Sequence, residues 1–192
     1  TKFLGIDHWG VRPDIVTMAK GLANGYPIGA VITTREIASA LKGKLHYNTF
    51  GGSPVQMAAA GAVLDVLDQE KLALNAEEVG GALLGKLGKL ASRSPWIGDV
   101  RGKGLMIGIE LVKDKKTQEP APEAAVKMLD LCKDAGLLIG KGGMANNVLR
   151  IRLDSAVHEL FSMSNATQVA QQRLTVLELF AAELGGVAAS SQ

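Results

Sequence analysis

An α/β fold is what this sequence predicts, and three observations carry it. Glycine reaches 23 of 192 residues with no collagen-like period, while aromatic residues make up only 4%. That balance implies many tight turns between short elements. Short β-branched runs, at residues 15–18, 30–34 and 148–151, alternate with stretches whose apolar residues recur at helical spacing. Apolar residues form 47% of the chain and charged residues 21%, enough to bury a core and too apolar for an intrinsically disordered chain. The length suits one ordinary domain or two small ones packed together.

The elements follow in chain order. Pro13-Asp14 opens Ile15-Val16-Thr17-Met18, whose β-branching predicts a buried strand or the end of one. Lys20-Gly21 comes next, then Asn24-Gly25-Tyr26-Pro27, a run of turn formers. Ala30-Val31-Ile32-Thr33-Thr34 reads as a second strand. Thr34 is placed to cap a short helix through Leu41, with Glu36 in its first turn. Residues 46–54 form a loop. At its end, Ser53 as N-cap and Pro54 at the first helical position start a helix to about Leu67. The small side chains of Ala58-Ala59-Ala60-Gly61-Ala62 predict that this helix packs closely on a sheet.

Asn75 is predicted to cap the next helix, with Val79, Leu83, Leu84, Leu87 and Leu90 at helical spacing, and Ser94-Pro95 ends it. Residues 97–112 hold Gly102, Gly104 and Gly108 among aliphatic residues, which predicts a turn followed by a strand. Lys113-Asp114-Lys115-Lys116 is a solvated turn. An amphipathic helix over 123–135 stops at Gly136. Leu137-Leu138-Ile139, a glycine loop and Val148-Leu149-Arg150-Ile151 predict a hairpin. A last helix covers 166–184, with a loose tail from Gly185. The chain divides near residues 70–76, giving predicted domains of 1–75 and 76–192.

Composition excludes several classes. Lys and Arg total 21 against 19 Asp and Glu, a formal net charge of +2, and phosphate-backbone recognition needs a basic surface; no nucleic-acid partner is expected. No apolar run approaches the ~20 residues of a spanning helix, so a soluble protein without a membrane partner is expected. The single cysteine, Cys132, excludes an internal disulfide and any multi-cysteine zinc site. His8, His46 and His158 show no metal-ligand spacing, and no metal is expected. The first residue is Thr1, followed by neither a secretory signal nor an Arg-rich transit peptide, so a processed product or a fragment is expected.

Two glycine-rich segments invite a nucleotide reading and do not sustain it. Gly102 to Gly108 has the spacing G-x-G-x-x-x-G and precedes a strand, whereas the dinucleotide fingerprint is G-x-G-x-x-G after one. Gly140-Lys141-Gly142-Gly143 lacks the P-loop glycine spacing and the hydroxyl residue after its lysine. Both read as turns. Lys20 carries more information, because an amine at the exit of a buried strand can form a Schiff base with a carbonyl compound. A lysine snorkelling to solvent fits the same local pattern. Thr49 offers a hydroxyl beside Gly51-Gly52 and a helix start, a combination that suits phosphate, although a polar loop closed by glycines looks the same. Arg150, between Leu149 and Ile151, needs an anion, and a carboxylate is its best bidentate match. An internal Asp or Glu serves that need as well as a substrate does.

Taken together, the segments resemble a known family. PDIVTMAKGLANGYPIGAV (13–31) is similar to the lysine segment of the class III, pyridoxal-phosphate-dependent aminotransferases. The similarity continues through NTFGGSPVQMAAAGAVLDVL (48–67), IGDVRGKGLMIGIELVKD (97–114) and GLLIGKGGMANNVLRI (136–151), in the family's order and spacing. It covers residues 1–151, and within the class it is strongest with the mitochondrial alanine–glyoxylate aminotransferase 2 type.

The resemblance implies the C-terminal part of a fold type I transferase, with 1–75 completing the large cofactor domain and 76–192 forming the small one. It makes Lys20 the catalytic Schiff-base lysine. It makes Thr49 the residue that holds the cofactor phosphate from the neighbouring subunit of a homodimer, and Arg150 the receiver of the substrate α-carboxylate. The implied cofactor is pyridoxal 5′-phosphate, and the implied reaction is transamination between an amino acid and a keto acid such as glyoxylate or pyruvate. The implied location is mitochondrial. In the family, the aspartate at the pyridine nitrogen, the stacking aromatic and the first phosphate loop precede the matching segment, so residues 1–192 by themselves are expected to be inactive. After Ile151 the family usually continues with a Pro-Pro pair, where this chain has Arg152-Leu153, and residues 154–192 carry no clear resemblance. Two other readings stay open: a non-catalytic remnant serving as a structural or interaction subunit, and the same cofactor turned to racemisation, mutation or decarboxylation.

Overall fold

A computed structural model of the protein describes residues 3–134 and 137–152, which fall into two units divided between Leu74 and Asn75. In the first unit, β1 (Ile15–Ala19) and β2 (Gly29–Thr33) pair antiparallel in unbroken register, from Ile15 opposite Thr33 to Ala19 opposite Gly29. A 3-10 turn, Lys20–Ala23, leaves β1 and is closed by Asn24 in the left-handed region (φ 46°), a conformation that asparagine tolerates better than most residues. The Thr33 hydroxyl donates to the Asp14 carbonyl at 2.8 Å and ties the open end of the ribbon.

The expectation that β1 is buried does not hold among these residues. Its residues alternate between exposed and half-buried, and Ile15 is 52% exposed. The physical reason is that β2 is its only strand partner among the described residues. The helix after β2 is present as α1 (Arg35–Ser39), with the Thr34 hydroxyl accepting from the Ile37 N–H at 3.3 Å. It falls short of Leu41 because the next donors, Leu41, Lys42 and Lys44, bond to carbonyls in successive tight turns.

The second helix, α2 (Pro54–Gln69), starts where Ser53-Pro54 predicts, although the Ser53 side chain makes no capping bond. The helix packs on the 3-10 turn after β1, but the close packing on a sheet expected of its small-residue segment is not seen: Ala58, Gly61 and Ala62 are exposed and Ala59 is half-buried. Ala60 of the helix and Ala23 of the turn are both buried.

The next helix, α3 (Leu72–Arg93), begins before the division and contains Asn75 instead of being capped by it. The break between α2 and α3 is made one turn earlier, by Lys71 in the left-handed region (φ 53°), a feature that a residue-type signal does not announce. Residues 97–112 also differ from expectation. They hold two strands, β3 (Ile97–Lys103) and β4 (Met106–Asp114), joined at Gly104 (φ 52°). Glycines and charges in β3 hide its strand pattern. A short β5 (Glu119–Pro120) pairs with β4, and α4 (Pro122–Asp134) follows.

The expected hairpin is formed by β6 (Gly140–Gly142) and β7 (Val148–Arg152). Its first strand begins at Gly140, not at Leu137, because the Leu137 N–H is spent on the Cys132 carbonyl at the end of α4. The antiparallel order is β3-β4-β7-β6. The helix expected over 166–184 and the tail after it lie outside the described residues.

The core of the second unit explains the sheet's two faces. Leu83, Leu87 and Leu90 of α3 and Met128 and Cys132 of α4 meet Ile107, Ile109 and Leu111 of β4 and Leu149 and Ile151 of β7. Side chains alternate across a strand, so Gly108, Glu110 and Arg150 fall on the opposite face. Leu87 is fully buried. Leu87→Ala is expected to cost about 2–5 kcal/mol through lost burial and a residual cavity, read as a lower urea midpoint. A midpoint left unchanged would mean that this core is not the one that folds. Among the described residues, no helix is long and apolar enough to cross a membrane.

Candidate active site

Lys20 stands at the first position of the 3-10 turn, directly after β1 ends, and its φ is 54°. The left-handed region costs a non-glycine residue about 1–2 kcal/mol. Asn24, Lys71, Gln118 and Asn146 share that conformation among the described residues, so at Lys20 it fixes how the chain leaves β1 and does not by itself mark a site. The side chain is exposed, and among the described residues no carboxylate lies in ion-pair range of its Nζ.

Thr49 lies in a folded loop. The Asn48 side-chain oxygen accepts from the Phe50 N–H at 3.2 Å, and the Asn48 carbonyl accepts from the Gly51 N–H at 3.0 Å. Gly52 is left-handed (φ 69°), and Ser53 N–H returns to the Phe50 carbonyl at 3.4 Å. These bonds hold the Thr49 loop immediately before the start of α2, where first-turn N–H groups have no intrahelical partner and favour an anion. Thr49 itself is exposed. Gln56, in that first turn, has its side-chain oxygen enclosed with no hydrogen-bond partner. It shares a helix face with Ala59 and Ala60, the buried side of α2. Sequence reasoning missed Gln56, because a glutamine near a helix start reads as a surface residue.

Arg150 belongs to the second unit. On β7, Leu149 and Ile151 enter the core and Arg150 faces the other way, exposed. Its register neighbours are glycines on both sides, Gly108 of β4 and Gly140 of β6. The question of which anion it meets is answered in part: among the described residues, no carboxylate pairs with it. The acids on that face are engaged elsewhere. Asp99 and Glu110 each accept from Arg101 Nη1 at 2.6 Å, and these bonds, that to Asp99 foremost, hold the Arg101 guanidinium above its ordinary value. Glu110 also faces Asn147 Nδ2 at 3.5 Å, while the same amide donates to the Leu111 carbonyl at 2.8 Å. This set was not visible in the sequence, since its members are spread over β3, β4 and the loop before β7.

Cys132 is buried, and desolvation pushes its thiol up, which keeps it protonated and unsuited to nucleophilic work. No cluster of potential metal ligands occurs among the described residues.

The family model described as aminotransferase class III matches residues 1–159. The chain belongs to the class III aminotransferases. It is 51% identical over 149 residues to alanine–glyoxylate aminotransferase 2 homolog 2, mitochondrial, of Arabidopsis thaliana, a match that covers 78% of this chain and 31% of the relative. It is 50% identical over 155 residues to the mitochondrial alanine–glyoxylate aminotransferase 2 of Homo sapiens, covering 77% of this chain and 30% of that protein. Among solved structures, an amine transaminase from an uncultivated Pseudomonas species in its PLP-bound form superposes with a TM-score of 0.78 at 34% identity, over 92% of this chain and 40% of that one. The chain thus spans under a third of the length of these curated relatives. The α/β fold is that of part of a fold type I PLP-dependent transferase, as the sequence predicts.

The first unit fits the class III cofactor chemically. Pyridoxal phosphate needs an amine for its aldehyde and donors for its phosphate. Lys20 offers an amine with no carboxylate partner among the described residues, and the Thr49 loop offers a hydroxyl before a helix N-terminus.

Proposed function

We propose that these residues form part of a PLP-dependent transaminase that moves an amino group between an amino acid and a keto acid such as glyoxylate or pyruvate. The observation that carries this reading is the place of Lys20, an exposed amine directly at the exit of β1 within the span that matches the family. When bound, pyridoxal phosphate supplies an electron sink for the charge left by loss of the substrate's α-proton. In this reading Lys20 Nζ would hold the cofactor through its aldehyde, and as a free amine it would take the substrate's α-proton as a general base and return it as a general acid. Thr49 Oγ1 donates to the phosphate from the neighbouring subunit of a homodimer, so neither subunit owns a whole site. The Arg150 guanidinium receives the α-carboxylate through two parallel hydrogen bonds and fixes the substrate's orientation.

Residues 1–75 would then belong to the large domain and 76–192 to the small one. A mitochondrial location is supported by the names of the plant and human relatives. The test is an assay of the complete protein with a panel of amino donors against glyoxylate and pyruvate. Release of the donor's keto acid is expected. A complete protein that binds no cofactor and turns over no donor would instead favour a structural or interaction subunit.

Thr49→Ala removes one hydrogen bond to a charged group, worth about 1.5–3 kcal/mol. Cofactor affinity, measured by titrating the apoprotein, is expected to fall about 10- to 150-fold. An unchanged dissociation constant would take the phosphate away from Thr49.

A further inference from the structure

The position of the Arg150 side chain is decided by what is missing beside it. Directly across the ladder stand Gly108 and Gly140, so neither cross-strand neighbour constrains the guanidinium. No carboxylate among the described residues draws it to one side, because Asp99 and Glu110 are engaged by Arg101. What remains is steric room. A Cβ built on Gly142 would come 2.9 Å from Arg150 Cδ and 3.3 Å from Nη1. A Cβ built on Gly140 would meet only the root of the same residue, its carbonyl oxygen at 3.8 Å and its Cβ at 3.9 Å. The Arg150 side chain therefore lies across the β6 backbone at Gly142, and a methyl group there must displace the guanidinium.

We propose that Gly142 is a positioning residue that selects carboxylate-bearing substrates through Arg150. The inference rests on the assignment of Arg150 to the substrate carboxylate. Gly142 and Gly140 are both outside the left-handed region, so alanine fits the backbone at either site. The clash at Gly142 falls on the outer part of a long side chain that can swing away, which moves the guanidinium and leaves the strand in place.

The experiment compares Gly142→Ala, Gly140→Ala, Arg150→Ala and the Gly142→Ala/Arg150→Ala pair in the complete protein, using an amino-acid donor and a donor amine that lacks a carboxylate. Gly142→Ala is expected to raise KM for the amino acid about tenfold, the low end for a lost hydrogen bond between charged groups, with kcat within about twofold, the signature of uniform binding loss. KM for the plain amine should stay put, and so should the amino-acid KM of Gly140→Ala. In the Arg150→Ala background the second change should add nothing, because Gly142 acts only through that side chain.

Should Arg150→Ala raise the amino-acid KM while Gly142→Ala does not, the positioning role is wrong and the carboxylate assignment stands. Arg150→Ala with an unchanged KM would remove the assignment and the inference together. Equal effects at 140 and 142, or a Gly142→Ala protein that does not fold, would make the glycine a packing residue and overturn the proposal.

Discussion

Lys20→Ala in the complete protein is expected to abolish transamination, with a loss of about 10³-fold or more in kcat. The size follows from the two tasks assigned to one amine. General acid–base catalysis alone contributes about 10²–10⁴-fold, and covalent capture of the cofactor adds to it. A dedicated role is consistent with Lys20 standing exposed at a strand exit, with no internal carboxylate among the described residues paired to it. Lys20→Arg separates charge from chemistry. Arginine keeps the positive charge and stays protonated, so it should be as inactive as alanine, whereas a purely electrostatic role would be rescued. Borohydride treatment of the wild-type protein with pyridoxal phosphate, followed by peptide mapping, should place the label on Lys20. A label on another lysine would refute the assignment.

What was legible in the sequence was local. Thr34 announced a helix start through its capping hydroxyl, and Ser53-Pro54 through proline at the first helical position, both of which depend on a few adjacent residues. Leu83, Leu87 and Leu90 announced the buried stripe of α3 because helical spacing puts them on one side. The β6–β7 hairpin followed from glycines between two short runs. What was illegible depended on conformation or on partners far along the chain. Nothing in the letters Lys71 or Lys20 reveals a left-handed backbone. The helix start at Leu72 was lost for that reason, and so was the turn that leaves β1 at Lys20. β3 was missed because its partner β4 supplies the order that its own composition does not. Arg150 could be singled out by its aliphatic neighbours. That they face the core while it faces away, over Gly142, needed the register of three strands. The burial of β1 was inferred from residue type, and residue type says only what a strand can bury.

That gap between composition and burial leads to the second large effect. Residues 1–192 expressed alone are expected to show no aminotransferase activity, even with excess pyridoxal phosphate. In the first unit, only Ala23 and Ala60 are buried among the described residues, while Val31 is 67%, Tyr47 85% and Phe50 82% exposed. A two-stranded ribbon and one long helix with so little enclosed surface are marginal by themselves. The second unit, by contrast, encloses a continuous core from Leu83 to Ile151. Lys20 and Thr49 both sit in the poorly enclosed unit, where local hydrogen bonds shape the Thr49 loop but little buried surface locks either side chain in place for catalysis. Positioning is worth about 7–11 kcal/mol where it is complete, so its loss alone removes a practical rate. Hydrogen exchange should show the same division, with amides of β4, β7 and α3 protected and those of β1 and β2 exchanging quickly. The decisive assay titrates cofactor into residues 1–192 and measures keto-acid release from several donors. Turnover in the range of about 1–10³ s⁻¹ usual for enzymes would show that the first unit needs no further cover to organise its site, and slow exchange across β1 and β2 would give the structural reason.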